Sequence, residues 1–532
     1  WQRAVVYQVY PRSFQDSDGD GVGDLAGVER RLDYLTDVLG VDAVWLSPFY
    51  PSPMRDFGYD VADYCDVDPL FGNLGDFDRL LGAAHERGLR IIVDLVPNHT
   101  SDEHPWFVAS RSGRDHPKRD WYTWRNGLPD GSPPNNWLAV FGGSAWEWDE
   151  ATEQYYLHSF LPSQPDLNWR NPEVESAMHD VMRFWLDRGV DGFRIDVAAF
   201  LMKDPQLRDN PVLTAPANTG FKQLAEYDRQ EHRHDKAHPD VHGVFRRMRS
   251  LVDGYRPGRV TIGEIHEFDF GRWASYYGDG DELHMPFNFS LLHAPWQASR
   301  IRRLVGSVEA ALPPGAWPNH VLGNHDEPRL ASRVGPDRTR VAAMMLLTLR
   351  GTPTLYYGDE LGLPEAEISP AEAQDPWGLR VPGLGRDGCR TPMPWDRSPQ
   401  AGFTEPGRTP WLPLGADAPR LSVAAQLDDP GSLLNLYRGL LAVRRRHPVL
   451  QSGAYRPVGA APEGCFAYRR EDETGSLCVA LNFTEASMEI PELGPGTIVL
   501  STVPGRAGAC DSLTLGPNEG AILAPPAARL TP

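Results

Sequence analysis

The chain has 532 residues, which exceeds one ordinary domain and fits a large barrel with appendages. Hydrophobic residues make up 41% and charged residues 23%, the balance of a folded protein with a substantial core. A formal net charge of −20 repels nucleic acid and anionic membrane surfaces, so neither is expected as a partner and a neutral or cationic small ligand is.

In chain order, residues 5–10 are the first apolar run and residues 27–39 follow with helical spacing. Residues 41–48 read as a second strand, 76–87 as a helix and 89–96 as a third strand. A helix over 176–188 runs out at Gly189, and residues 190–197 occupy the place of the next strand. Residues 260–265, 282–287, 320–323 and 354–357 continue the series. Eight strands alternating with helices predict an α/β fold, a parallel (β/α)8 TIM barrel, in preference to an open doubly wound sheet.

The expected barrel spans residues 1–97 and 171–447. Residues 98–170, rich in Trp, Asn, Gly and Pro, are too long for a plain loop and predict an inserted subdomain after the third strand. A second irregular stretch occupies residues 362–430, and residues 448–532 show the short alternating runs of a C-terminal β-sandwich domain. The histidines at 232, 234, 238 and 242 match no familiar ligand spacing and read as part of a solvated loop. Five scattered cysteines argue against a disulfide framework or a zinc site. No run reaches the ~20 apolar residues of a membrane span. No signal peptide is visible, so a cytoplasmic location is expected, with a removed signal peptide as the alternative.

In the strand over 190–197, Phe193, Ile195 and Val197 are apolar while Arg194 and Asp196 share the other side of the pleat. Two buried opposite charges are costly unless they pair or do chemistry. A structural ion pair is the plain reading. Two other strands, ending at Glu264 and Asp326, also stop on carboxylates. Three acids at one end of a parallel barrel favour a shared catalytic site on its active face.

Near the start, Asp16-Ser17-Asp18-Gly19-Asp20-Gly21-Val22-Gly23-Asp24 sets oxygen ligands at alternate positions. Asp16, Asp18, Asp20 and Asp24, with the Val22 carbonyl, would form a hard-cation cage; a polar turn is the competing reading. Gly27 stands where an EF-hand needs its bidentate glutamate, so this is a calcium-type loop of another kind, structural in role, with magnesium as the alternative cation. No organic cofactor is expected.

Four segments occur in order: Asp94-Leu95-Val96-Pro97-Asn98-His99, Gly192-Phe193-Arg194-Ile195-Asp196, Gly263-Glu264-Ile265 and Gly323-Asn324-His325-Asp326. They resemble the four ordered motifs of the α-amylase family of retaining glycoside hydrolases (glycoside hydrolase family 13). Gln164-Pro165-Asp166-Leu167-Asn168-Trp169 and Arg386-Asp387-Gly388-Cys389-Arg390-Thr391-Pro392 resemble its oligo-1,6-glucosidase and bacterial α-glucosidase branch. The resemblance implies an exo-acting retaining α-glucosidase acting on disaccharides or short oligosaccharides, with transglucosylation as a side reaction. Asp196 would be the nucleophile, Glu264 the acid/base and Asp326 the third carboxylate, gripping sugar hydroxyls. Arg194 would keep Asp196 ionised, and desolvation would keep Glu264 protonated.

His99 and His325 look like the family's hydroxyl-binding histidines. Asp56, Tyr59 and Arg386 resemble the residues that close the pocket's far end. Phe141, Phe160 and Gln164 would line its mouth, and Val197 occupies the position that in relatives separates 1,6-active from 1,4-selective enzymes. Lys203 resembles a lysine that replaces a second calcium. The alternatives are a trehalose synthase or other sugar-transferring isomerase, and a catalytically silent binding protein. The retained carboxylates argue against the last. A monomer or small homo-oligomer is expected.

Overall fold

The barrel strands are short and, apart from the exposed Arg90, buried along their length because helices cover them from outside. The computed structural model describes residues 1–216, 223–459 and 461–526. Its central sheet comprises β1 (Val6–Val9), β2 (Ala43–Leu46), β3 (Arg90–Leu95), β4 (Gly192–Ile195), β5 (Val260–Gly263), β6 (Met285–Asn288), β7 (Asn319–His320) and β8 (Thr354–Tyr356). They pair in parallel in the order β7-β6-β5-β4-β3-β2-β1-β8, and a parallel bridge between Val321 and Thr354 brings the two ends together. This is the expected (β/α)8 barrel. The β7 ladder is shorter than the predicted 320–323 run, which leaves Val321 only that single bridge.

The two faces of each strand carry different cargo. Tyr7, Val44, Ile91, Val93, Phe193 and Ile195 point outward into the main apolar layer under the helices. Val6, Trp45, Ile92, Val260, Ile262 and Phe287 pack together as a separate interior cluster. Toward the carboxyl ends the same register turns polar: Val6 gives way to Gln8, Ile92 to Asp94 and Ile262 to Glu264. The barrel is therefore apolar in its lower interior and polar where the strands end, and that boundary fixes the height of the site.

Local capping sets the helices. Asn73 and Asp76 form a reciprocal capping box that starts helix Leu74–Glu86. Helix Pro172–Arg188 begins one turn before the predicted position because Asn171 caps it and Pro172 fits its first turn. Gly189, at φ +109°, ends it and turns the chain into β4. The predicted helix over 27–39 is instead a short helix, Leu25–Arg30, followed by a wide turn, Tyr34–Leu39. Within it, a side chain at Gly27 would meet the Gln15 carbonyl, so the close approach of these two segments demands glycine.

Between β3 and helix Pro172–Arg188 lies a small antiparallel sheet, Trp124–Arg125, Gln154–Leu157 and Trp146–Asp149. The last part of the chain forms a six-stranded antiparallel sheet and a two-stranded one. Period-2 alternation explains its two cores: Phe466, Tyr468, Val479 and Leu481 face the barrel helices, while Cys465, Ala467, Cys478 and Ala480 face the two-stranded sheet. Among the described residues no helix is long and apolar enough to cross a membrane.

Candidate active site

Arg194 lies at the centre. It is 1% exposed, and its side chain meets three carboxylates from three strands. Nη1 donates to Asp94 at 2.9 Å and to Asp196 at 2.5 Å, and Nη2 reaches Glu264 at 2.7 Å. One buried cation among three buried acids leaves an excess of negative charge, which favours retention of a proton within the group. Of the three acids expected to share a site, Asp196 and Glu264 meet Arg194, whereas Asp326 pairs with Arg386 and Arg390 and Asp94 takes the third place on Arg194.

Glu264 is held on both oxygens. Oε2 accepts the Val197 backbone N–H at 2.9 Å, and Oε1 lies 3.1 Å from His266 Nε2. Val197 reaches this position with φ +34°, a strained conformation for a β-branched residue. Its amide is thereby aimed at Glu264 directly after Asp196.

The far end of the cavity is built on Arg386. This side chain contacts Asp56 at 2.7 Å, Asp326 at 3.0 Å and Asp375 at 2.6 Å. Asp326 also accepts from Arg390 Nη2 at 2.9 Å. His325 stacks on Tyr59 at 5.3 Å and 4°, and its Nε2 lies 2.6 Å from the Tyr59 hydroxyl. Burial lowers the His325 pKa to about 3 and that of His99 to about 4, so both rings are neutral at physiological pH and suited to hydrogen-bonding uncharged hydroxyls. Phe141 stacks on Trp377 at 4.8 Å and meets Phe160 edge-on, forming an aromatic wall.

These groups enclose a cavity of about 520 Å³. Asp56, Tyr59, His99, Phe141, Phe160, Asp196, Val197, Glu264, Asp326 and Arg386 line it. Gln164 does not line the mouth as expected. It is fully buried behind the wall, where its amide donates to Asp56 at 3.0 Å. Arg194 and His325 also sit behind the surface, supporting residues that face the cavity.

A sequence model described as the α-amylase catalytic domain matches residues 8–453. A relative named "Probable alpha-glucosidase" from Rhizobium meliloti (strain 1021) is 47% identical over 85% of this chain and 84% of its own. The oligo-1,6-glucosidase of Heyndrickxia coagulans is 38% identical over 92% and 93%. The crystal structure of the α-glucosyl transfer enzyme XgtA superposes with a TM-score of 0.93 at 44% identity, covering 99% of both chains. The chain belongs to the α-amylase family of glycoside hydrolases.

Against the family expectation, the protonation of the central pair runs the other way. Burial, opposed by Arg194 and reinforced by Glu264 and Asp94, pushes Asp196 well above the usual carboxylate range. Burial also acts on Glu264, but Arg194 and His266 outweigh it and hold this carboxyl down at about 2. The sequence motifs place Arg194 beside Asp196 and give no sign that its second nitrogen serves Glu264.

One cation site was expected, in the first loop, with Lys203 standing in for a second calcium. Lys203 Nζ lies 2.6 Å from Asp166 and 2.7 Å from Asn98 Oδ1, so an ammonium fills that position. In the first loop, carboxylate oxygens of Asp16, Asp18 and Asp24 lie within 4.8 Å of one another. Asp20 stands outside that group, and its carboxylate accepts the Val22 N–H at 2.7 Å. Asp16 accepts backbone N–H groups from Asp18, Gly19 and Gly21, which wraps the chain around a concentration of negative charge. The histidines of the charged segment pair singly with acids, among them His232 with Asp235 and His242 with Glu282, and the segment lines the cavity with Glu231, His232, Arg233 and Lys236 in place of the expected solvated loop.

Several residues of the site escaped sequence reasoning. Asp375, Phe200, Tyr227, His266, Glu327 and Trp377 either line the cavity or hold a residue that does. Asp375 and Trp377 fall in the irregular stretch after β8, where no periodicity marks them. Only proximity to the Arg386 motif offered a signal.

Proposed function

We propose that the chain is an exo-acting retaining α-glucosidase that removes glucose from the non-reducing end of disaccharides and short oligosaccharides. The observation that carries this reading is that neighbouring nitrogens of the Arg194 guanidinium contact Asp196 and Glu264. A shared planar cation keeps the two carboxyl groups close, as retention requires at about 5–5.5 Å. In this reading Asp196 attacks the anomeric carbon and the glycosidic bond breaks, leaving a covalent glucosyl ester. Glu264 gives its proton to the departing oxygen and later takes one from the attacking water.

The resting proton distribution fits a two-state pair. In the sugar-free protein the proton belongs on Asp196. Positive charge developing at the anomeric carbon favours an ionised Asp196, so the arriving sugar draws the proton toward Glu264. Asp326, His99 and Asp56 grip hydroxyls, His325 supports Tyr59 from behind, and Arg386 closes the end beyond them. A closed end admits one glucose unit and accounts for exo action.

The first loop would hold a calcium ion through Asp16, Asp18 and Asp24, the structural role being to pin it against Thr404, whose hydroxyl donates to Asp16. Transfer of glucose to a second sugar is a further outcome of the same intermediate, and the similarity to the transfer enzyme supports it.

Maltose is the deciding substrate. Replacing Asp196 with Ala should lower its hydrolysis by several orders of magnitude. A variant as active as the parent would overturn the assignment. Product analysis separates the two outcomes: free glucose marks hydrolysis, and a new disaccharide marks transfer or isomerisation.

A further inference from the structure

Glu264 Oε2 accepts the Val197 amide N–H at 2.9 Å and forms an ion pair with Arg194 Nη2 at 2.7 Å. That oxygen is thereby tied to the backbone and to a permanent cation. Oε1 is left as the oxygen that takes and releases a proton, and it is Oε1 that faces His266 Nε2 at 3.1 Å. The imidazole is not placed there by chance packing. It lies flat on Phe289, with centroids 4.7 Å apart and planes at 17°, and Phe289 belongs to the interior apolar cluster at the end of β6. His266 also lines the cavity.

We propose that His266 is a positioning residue of the glucosidase, holding Glu264 through Oε1 and following its proton. This rests on the reading of Glu264 as the acid/base. An imidazole suits the task because its ring nitrogen donates to a carboxylate in one tautomer and accepts from a carboxylic acid in the other. His266 therefore keeps its contact through both halves of the reaction, when Glu264 is the acid and when it is the base, with cavity water taking the Nδ1 proton and supplying one to Nε2 as the tautomer changes. A lysine or arginine in its place could serve only the second state.

The other groups acting on Glu264 do not change partner in this way. Arg194 and Asp196 come from the end of β4, Asp94 from β3, and His325 and Asp326 from the loop after β7. Beyond His266 the cavity carries Glu267, Asp269 and Arg272 on its own loop, Glu327 after β7, and Glu231, Arg233 and Lys236 from the segment after β4. Phe289 shields one face of the imidazole, and the ring meets Glu264 Oε1 through Nε2.

The test uses the pH dependence of kcat/KM for His266→Phe and His266→Gln, on maltose and on 4-nitrophenyl α-glucoside. Nitrophenolate departs with little help from an acid, whereas the glucose of maltose needs the proton. His266→Phe is expected to reduce kcat on maltose by about ten- to a hundredfold, with a smaller loss on the aryl substrate. Removing the imidazole also frees Glu264 to hold its proton more tightly, so the alkaline limb should move to higher pH. His266→Gln keeps an amide donor at Oε1 and should recover part of the maltose rate, with the limb still displaced. An alkaline limb unchanged in His266→Phe overturns the proposal; if that variant does not fold, the limb of His266→Gln decides in the same way. Glu264→Gln with added azide tests the underlying reading separately. Formation of a glucosyl azide from the aryl substrate supports Glu264 as the acid/base, and no rescue removes that role and this proposal with it.

Discussion

Asp375 accepts from Arg386 Nε at 3.0 Å and from Nη2 at 2.6 Å, and a second oxygen takes the Arg386 backbone N–H at 2.8 Å. These bonds between two buried residues fix the guanidinium before any sugar arrives, so that Nη2 also reaches Asp56 and Nη1 holds Asp326. Order around Arg386 is set in the irregular stretch after β8.

Substituting Asp375 by Asn removes the charge that orients Arg386 and leaves two carboxylates to compete for it. The grip on the terminal sugar should loosen while the chemistry at Asp196 and Glu264 stays in place. The expected result is a KM for maltose raised about tenfold with a smaller change in kcat, read from steady-state kinetics. A variant with parental KM would show that Arg386 needs no support from Asp375.

Lys203 and Asp166 form a buried pair at 2.6 Å, with Asp166 fully excluded from solvent. Removing the ammonium by Lys203→Ala strands a buried carboxylate beside Asn98. That loss should cost about 3–5 kcal/mol of stability, the range for breaking one partner of a buried pair. Urea unfolding followed by tryptophan fluorescence measures it, and a loss below about 1 kcal/mol would mean that Asp166 relaxes to another donor.

How much of this was legible in the letters differs from element to element. The barrel was readable because parallel strands buried on both faces give continuous apolar runs, and because Asn171 with Pro172 and Gly189 punctuate the helix before β4. The site motifs were readable because they lie at strand ends in fixed register. Other relationships were not legible. His266 reaches Glu264 within its own segment, but only its stacking on Phe289, from another strand, turns it inward. Gln164 was misplaced because a motif shows that a residue is near the site and not which side of the wall it occupies. The opposite pulls on Asp196 and Glu264 come from Asp94 beside the one and His266 beside the other, neighbours brought in by the fold.

His320 gives the protein a stability term that depends on pH. It is 2% exposed, neither ring nitrogen hydrogen-bonds to a described residue, and burial, aided by Arg350 and Arg470, lowers its pKa to about 4. The unfolded chain binds this proton near pH 6.5 and the folded one resists it. Stability from His320 is therefore full above about pH 6.5 and is lost as pH falls toward 4. His320→Leu should remove on the order of 2 kcal/mol of the acid sensitivity between pH 7 and pH 5, measured as the difference between the two Tm profiles. Parallel profiles for parent and variant would assign the acid sensitivity to other groups. Buried acids such as Asp94, raised to about 6, act in the opposite sense, and the comparison between variants cancels them.

The first loop should respond to chelation. Asp18 is exposed and contributes to the group of three carboxylates, so it is the member whose loss least disturbs the core. Adding EDTA should lower the Tm of the parent by several degrees, and calcium in excess should restore it. Asp18→Asn should melt near the chelated parent and ignore both additions. A parent whose Tm is the same with and without EDTA would reduce the loop to a polar turn.

Val197 joins the two ends of the chemistry, because its amide holds Glu264 while its side chain packs against the apolar group around Phe160 and Phe200. Val197 lines the cavity next to Asp196, so its shape should bear on linkage. An apolar valine favours the flexible exocyclic arm of a 1,6-linked sugar, and activity on isomaltose is expected alongside activity on maltose. Val197→Thr keeps the branched shape and adds a hydroxyl that can bond a 1,4-linked ring. The ratio of kcat/KM for isomaltose over maltose should then fall by about tenfold, since one such group is worth roughly 1–3 kcal/mol of discrimination. Because threonine carries the same backbone strain at φ +34°, the Tm should stay close to the parent, which separates a change in specificity from damage to the fold. Hydrolysis of maltose with none of isomaltose by the parent chain would sink this reading of Val197.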